Sequence, residues 1–148
     1  MKWMLAVDIV DPAAPALVDE AARWAARAGA TLDLLHAEGT RYAYEFVTDA
    51  TVRDLVAAEA DRLRAEDRRR LTELLHRIPE PQRGVARIRP GRPVSVLVDE
   101  AEPYDTVLVG THGRTGLQHF WLGSVAEQVV RRCPRPVLVL RIGETGAR

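Results

Sequence analysis

The residues best suited to chemistry lie in one stretch, Val109 to Ala126, which reads V-G-T-H-G-R-T-G-L-Q-H-F-W-L-G-S-V-A. Its four glycines, Gly110, Gly113, Gly116 and Gly123, permit left-handed backbone and let a ligand approach where no Cβ stands in the way. Successive backbone N–H groups in such a loop converge on an anion. The helix expected from Ser124 adds the partial positive charge of its N-terminus. Phosphate is the natural guest, and Arg114 is a charge partner placed within the loop. Two commoner phosphate motifs are excluded, because the only lysine is Lys2 and G-x-G-x-x-G does not occur.

A purely structural reading competes for part of this stretch. Ser124 with Glu127 three residues later forms a capping-box pattern, which accounts for both residues through helix N–H satisfaction. It leaves Gly116, Gly123 and Arg114 without a role. His112 and His119 flank the loop, but no carboxylate or thiol stands at metal-ligand spacing. Cys133, ahead of Pro134, reads as a packing residue because no paired base accompanies it. No Ser-His-Asp constellation can be assembled, so the residues favour binding over catalysis.

The elements that must position the loop alternate between strand and helix. Trp3–Val7 is a continuous apolar run, as expected of a central parallel strand, and Asp8 ends it. Asp11 is expected to cap a helix with Pro12 at its first position, and Ala14, Leu17, Val18, Ala21, Trp24, Ala25 and Ala28 form its apolar stripe. Thr31–Leu35 is the second strand. Residues 40–50 show no clear period. From Val52 to Ile78 the apolar positions, Leu55, Val56, Ala60, Leu63, Leu71, Leu74 and Leu75 among them, keep near-helical spacing with a polar interruption at Asp67. Arg68-Arg69-Arg70 lies beside Glu66, Asp67 and Glu73, which reads as a solvated, internally paired face. Val85–Arg89 is a third strand, Pro93 opens a helix to Ala101, and Thr106–Val109 is the fourth strand. After the glycine loop and its helix, Val137–Leu140 is the fifth strand. Parallel strands joined by crossover helices imply an α/β sheet covered on both faces.

Composition narrows the function classes. A chain of 148 residues suits one domain, and 21 basic against 21 acidic residues gives no nucleic-acid surface. One cysteine leaves no internal disulfide. No apolar run has transmembrane length, and the opening Met1-Lys2-Trp3 leads directly into a strand, so a cytoplasmic location is expected.

Two residues separate Gly110 from Gly113, nine separate Gly113 from Gly123, and a hydroxyl residue follows. This G-2x-G-9x-G-(S/T) spacing between fourth strand and fourth helix resembles the ATP-binding branch of the universal stress protein family. The resemblance covers nearly the whole chain and implies a single Rossmann-like domain over residues 1–142, with a flexible tail at 143–148. Its five-stranded parallel sheet would have the order 3-2-1-4-5, with helices on both faces. It implies ATP as ligand, with Mg²⁺ or Mn²⁺ held mostly by the triphosphate. Asp8 would serve the ribose or the metal, and the backbone of Ala37 would pair with adenine. The loop would run along ribose and phosphates from Val109 and Gly110 through Gly113 and Gly116. Gly123, Ser124 and Val125 would give N–H groups to the phosphates. The family often has a small polar pair after its first aspartate, where this chain has Ile9-Val10-Asp11-Pro12. Asp8 also has a local role open to it, accepting backbone N–H bonds in a turn.

The strand order would set strands 1 and 4 side by side at a switch point, so Asp8 and Gly110 would face one crevice. Three or four hydrogen bonds to charged groups, at about 1.5–3 kcal/mol each, plus a buried adenine correspond to roughly micromolar affinity after ordering costs. The function expected is that of an ATP-binding regulatory protein of the stress response. The alternatives are a slow ATPase or adenylate-kinase-like transferase drawing on Asp8, His112 and Arg114, and a nucleotide-free dimeric scaffold. Val137–Leu140 would lie unprotected at a sheet edge, and pairing with its copy in a second subunit would give a homodimer.

Overall fold

The computed structural model describes residues 1–39, 48–111 and 122–142. Five strands, β1 (Lys2–Ala6), β2 (Thr31–Ala37), β3 (Arg83–Arg89), β4 (Thr106–Gly110) and β5 (Val137–Leu140), form one parallel sheet of order β3-β2-β1-β4-β5. The crossovers are α1 (Ala14–Ala28), α2 (Ala50–His76), α3 (Pro93–Asp99) and α4 (Ser124–Arg132). Alternate strand residues divide the core in two. Leu5, Leu32, Leu34 and Leu108 pack with Val18, Ala21 and Ala25 of α1 and with Leu71 and Leu74 of α2. Met4, Leu35, Val107 and Val109 pack on the other side with Leu97 of α3 and Ala126 and Val129 of α4. Because both faces are covered, the central strands β1 and β4 read as nearly continuous apolar runs, and β2 does so apart from Asp33 and His36.

Several local expectations need correction. The first helix begins at Ala14, not Pro12, and Pro15 rather than Pro12 lies in its first turn. Asp11 instead closes the preceding turn, where its Oδ1 accepts from Ala13 N–H at 2.8 Å and its carbonyl accepts from Ala14 N–H at 2.9 Å. The long helix starts at Ala50, capped by Asp49 Oδ1 accepting from Val52 N–H at 3.0 Å. Its Val52, Leu55 and Val56 keep helical spacing yet are exposed, Leu55 to 69%. A helix of 27 residues is about 40 Å long. Only the stretch from Ala60 onward reaches the sheet, through Leu71 and Leu74, and Asp67 is buried there with them. The basic run on α2 is internally paired as its sequence suggests: Arg69 bonds Glu66 at 2.6 Å and Glu73 at 2.5 Å, and Arg70 bonds Glu66 at 3.0 Å.

The lower end of the sheet is fixed by one buried carboxylate. β2 advances from Leu32 to Leu34 while its partner advances from Arg83 to Ala86, a bulge opposite Asp33. Asp33 fills the irregularity, accepting from Val85 N–H at 2.9 Å and from the Tyr104 hydroxyl at 2.8 Å, with Lys2 Nζ at 3.1 Å. A Cβ at Gly84 would overlap Asp33 Oδ1, so the bulge requires glycine there. Two buried side chains, Asp33 and Tyr104, thereby tie β1, β2 and β3 together.

Candidate functional site

β1 and β4 pair directly, with Trp3 opposite Thr106 and Leu5 opposite Leu108. Their crossovers depart to opposite faces of the sheet, α1 with α2 on one and α3 with α4 on the other. A crevice opens beyond the C-terminal ends of the strands, as this topology dictates. Its volume is about 560 Å³, within the range of small-molecule sites. Asp8 enters it from the loop after β1, Ala37 from the end of β2, and Val109 and Gly110 from the end of β4. Gly123, Ser124, Val125 and Ala126 contribute the wall formed by the start of α4. Seven residues singled out in the sequence thus border one cavity: Asp8, Ala37, Val109, Gly110, Gly123, Ser124 and Val125. Gly113, Arg114 and Gly116 lie outside the described residues, as do His112 and His119.

The capping-box reading of Ser124 does not hold at the start of α4. The N-cap is Gly123, with φ −55° and ψ 152°, and no side chain caps it among the described residues. Ser124 is the first helical residue, so the capping box does not form, and Glu127 pairs with Arg131 at 2.8 Å instead. The N–H groups of Ser124, Val125 and Ala126 have no intrahelical acceptor by helix geometry. Gly123 differs from expectation, since its own N–H donates to the Thr111 carbonyl at 3.2 Å and is already engaged. The open donors at this wall are therefore those of residues 124–126. Left-handed backbone is not what Gly110 and Gly123 provide, because among the described residues only Gly29, Gly39 and Gly91 have positive φ. At Gly110 the relevant property is space, as a Cβ would sit 3.2 Å from the Leu17 side chain.

Asp8 has a local task as well, its Oδ1 accepting from Val10 N–H at 3.2 Å. Asp8 and Asp11 are the cavity's acidic side chains on this side, and Glu38 borders it at the end of β2. No group of three or more His, Cys, Asp or Glu side chains among the described residues could hold a metal by itself. A divalent ion accompanying a triphosphate fits one or two carboxylates, because phosphate oxygens and water complete its octahedron.

Other wall residues were not singled out in the sequence. His36 is 7% exposed, and its Nδ1 lies 3.0 Å from the Val7 carbonyl, which only accepts, so Nδ1 carries the proton. That bond ties the ends of β1 and β2 at the cavity floor. The signal was a polar residue inside the otherwise apolar run Leu34-Leu35-His36-Ala37. Gly39 (φ 67°) and Gly91 (φ 129°) form an isolated antiparallel bridge at the rim, with Gly39 N–H donating to the Gly91 carbonyl at 3.1 Å. Pro93 and Leu97 of α3 complete the apolar side.

The universal stress protein family model matches residues 1–141. The chain belongs to the universal stress protein family. Universal stress protein A homolog 1 of Coxiella burnetii is 32% identical over 97% of this chain and 98% of its own length. Universal stress protein MJ0577 of Methanocaldococcus jannaschii is 41% identical over 46 residues, a segment that spans 31% of this chain and 28% of that protein. The solved structure of MJ0577 superposes with a TM-score of 0.75 at 22% identity, covering 97% of both chains. A universal stress protein solved in complex with cAMP superposes with a TM-score of 0.62 at 22% identity, covering 97% of this chain and 98% of that one. At these identities the two structures speak for the fold, which matches the five-stranded order found here.

Proposed function

We propose that this universal stress protein binds ATP in the crevice between β1 and β4 and uses its occupancy to regulate partners in a stress response. The observation that carries the reading is the uncapped first turn of α4, whose three open N–H donors border the same cavity as Asp8 and Ala37. Phosphates would lie on the N–H groups of Ser124, Val125 and Ala126 and on the Ser124 hydroxyl, and Gly113, Arg114 and Gly116 belong to the same proposed phosphate-binding stretch. Adenine would take backbone hydrogen bonds at Ala37, between the apolar walls of Leu35 and Leu97. Asp8 would hold the ribose or, through water, a Mg²⁺ or Mn²⁺ carried by the triphosphate. A family member with cAMP bound supports an adenine-type ligand.

The edge strand β5 would pair with its copy in a homodimer. No described helix is long and apolar enough to cross a membrane, and a cytoplasmic location is part of this proposal. The test is to denature the purified protein, chromatograph the supernatant, and titrate nucleotide-free protein with Mg·ATP in a calorimeter. Adenine nucleotide in the supernatant, or micromolar binding at one site per chain, supports the reading. Absence of both results would refute it. Incubation of the complex over hours separates stable binding from slow ATPase or phosphotransfer activity.

A further inference from the structure

We propose that a second cleft, between α2 and the β2–β3 edge, binds a small organic carboxylate with an apolar body. The cleft has a volume of about 350 Å³ and is bordered by Arg64, Arg68, Leu71 and Thr72 of α2, by Glu38, and by Ala86 and Ile88 of β3. Leu71, Ala86 and Ile88 belong to or pack against the core on this face, so they give an apolar floor. Above it stand two guanidinium groups four residues apart on one helix, hence on the same side of it. Arg64 is held by Glu38 at 3.5 Å and Asp61 at 3.3 Å. Arg68 is different. Arg62, Arg64, Arg69 and Arg70 of the same helix all have carboxylate partners, and Arg53 bonds the Thr48 carbonyl. The Arg68 guanidinium has no such partner among the described residues, in a helix otherwise dense with acidic side chains.

Charge and shape together select the ligand class. Two arginines against Glu38 leave the lining one positive charge in excess, which suits a monoanion. A guanidinium presents a planar fork that matches a carboxylate. The apolar floor favours an aromatic or short aliphatic body over a bare inorganic ion. The Thr72 hydroxyl donates to the Arg68 carbonyl at 2.8 Å, so it offers only lone pairs, and Arg68 is left as the unpaired donor toward the anion.

Benzoate is the probe, titrated into the full chain while amide resonances are followed by NMR; inorganic phosphate is the control. The expected result is saturable one-site binding with shifts at Leu71, Thr72, Ala86 and Ile88. Arg68→Ala should weaken it about tenfold or more, Arg68→Lys should weaken it less, and phosphate should bind at least about tenfold more weakly than benzoate. Arg68 is exposed on the helix surface, and the dispersion of the variant's spectrum reports whether its fold is kept. No saturable shift, undiminished benzoate affinity in Arg68→Ala, or equal affinity for phosphate would each overturn the proposal. The probe carries no nucleotide, so this result and that of ATP binding stand or fall separately.

Discussion

Ser124→Asp separates a phosphate site from a merely structural helix start, because the two accounts predict opposite consequences for one substitution. Ser124 is the first residue of α4, with an uncapped turn and three open N–H donors beside it. A carboxylate there meets the positive end of the helix, which stabilises the nucleotide-free protein by about 0.3–1 kcal/mol. That is an increase in Tm of roughly 1–3 °C. The same carboxylate would stand roughly 5 Å from a phosphate bound to those donors. At an effective dielectric of about 20, one unit of charge repulsion at that distance is about 3 kcal/mol, and loss of the hydroxyl bond adds about 1 kcal/mol. Ser124 is exposed, and screening removes part of the repulsion. About a hundredfold loss of ATP affinity remains. Calorimetric titration with ATP, paired with thermal melts of the nucleotide-free protein, reads both quantities. A variant that binds ATP within a factor of about two of wild type refutes the reasoning.

Three other outcomes follow from particular contacts. Gly84→Ala forces a Cβ into Asp33 Oδ1 and to 2.8 Å from the Leu32 carbonyl oxygen, so urea melts should show a loss of about 3 kcal/mol or more; a loss below about 1 kcal/mol would mean the bulge yields easily. Burial, and then its hydrogen bond to Asp33, push the Tyr104 hydroxyl pKa well above its usual value. The folded state therefore keeps a proton that the unfolded chain releases near pH 10, and stability should fall by up to about 1.4 kcal/mol per pH unit above that point. Tyr104→Phe should lack this increment when urea melts at pH 8 and pH 11 are compared, and equal slopes in both proteins would contradict the assignment. Sedimentation equilibrium at micromolar concentration should give a dimer if β5 pairs across subunits, and a monomer would exclude that pairing.

Much of the fold was legible because the central strands are largely buried, so Trp3–Val7, Thr31–Leu35 and Thr106–Val109 could be read as strands directly, and the edge strand Val137–Leu140 is itself a continuous apolar run. Periodicity says where a side chain points on a helix, not whether a neighbour is present to cover it. For that reason Val52, Leu55 and Val56 share the helical spacing of the buried positions of α2 although they are exposed. The capping box at Ser124 failed for a related reason, since S-x-x-E fits two registers and the helix begins one residue too early for Ser124 to be its cap. Asp33 and Gly84 make the clearest omission. They are 51 positions apart, and only the bulge between β2 and β3 shows that one must be small because the other is buried. In the candidate site, residues with special backbone or charge could be found from spacing. Pro93 and Leu97 could not, because each also reads as an ordinary part of its element.

The most direct measurement is an amide NMR titration of nucleotide-free wild-type protein with Mg·ATP. The account predicts saturable shifts, at micromolar concentration, of the Ser124, Val125 and Ala126 amides together with those of Asp8 and Ala37, with the far end of the sheet around Asp33 and Val85 unchanged. Saturation without movement at residues 124–126, or no saturable change at all, would contradict it.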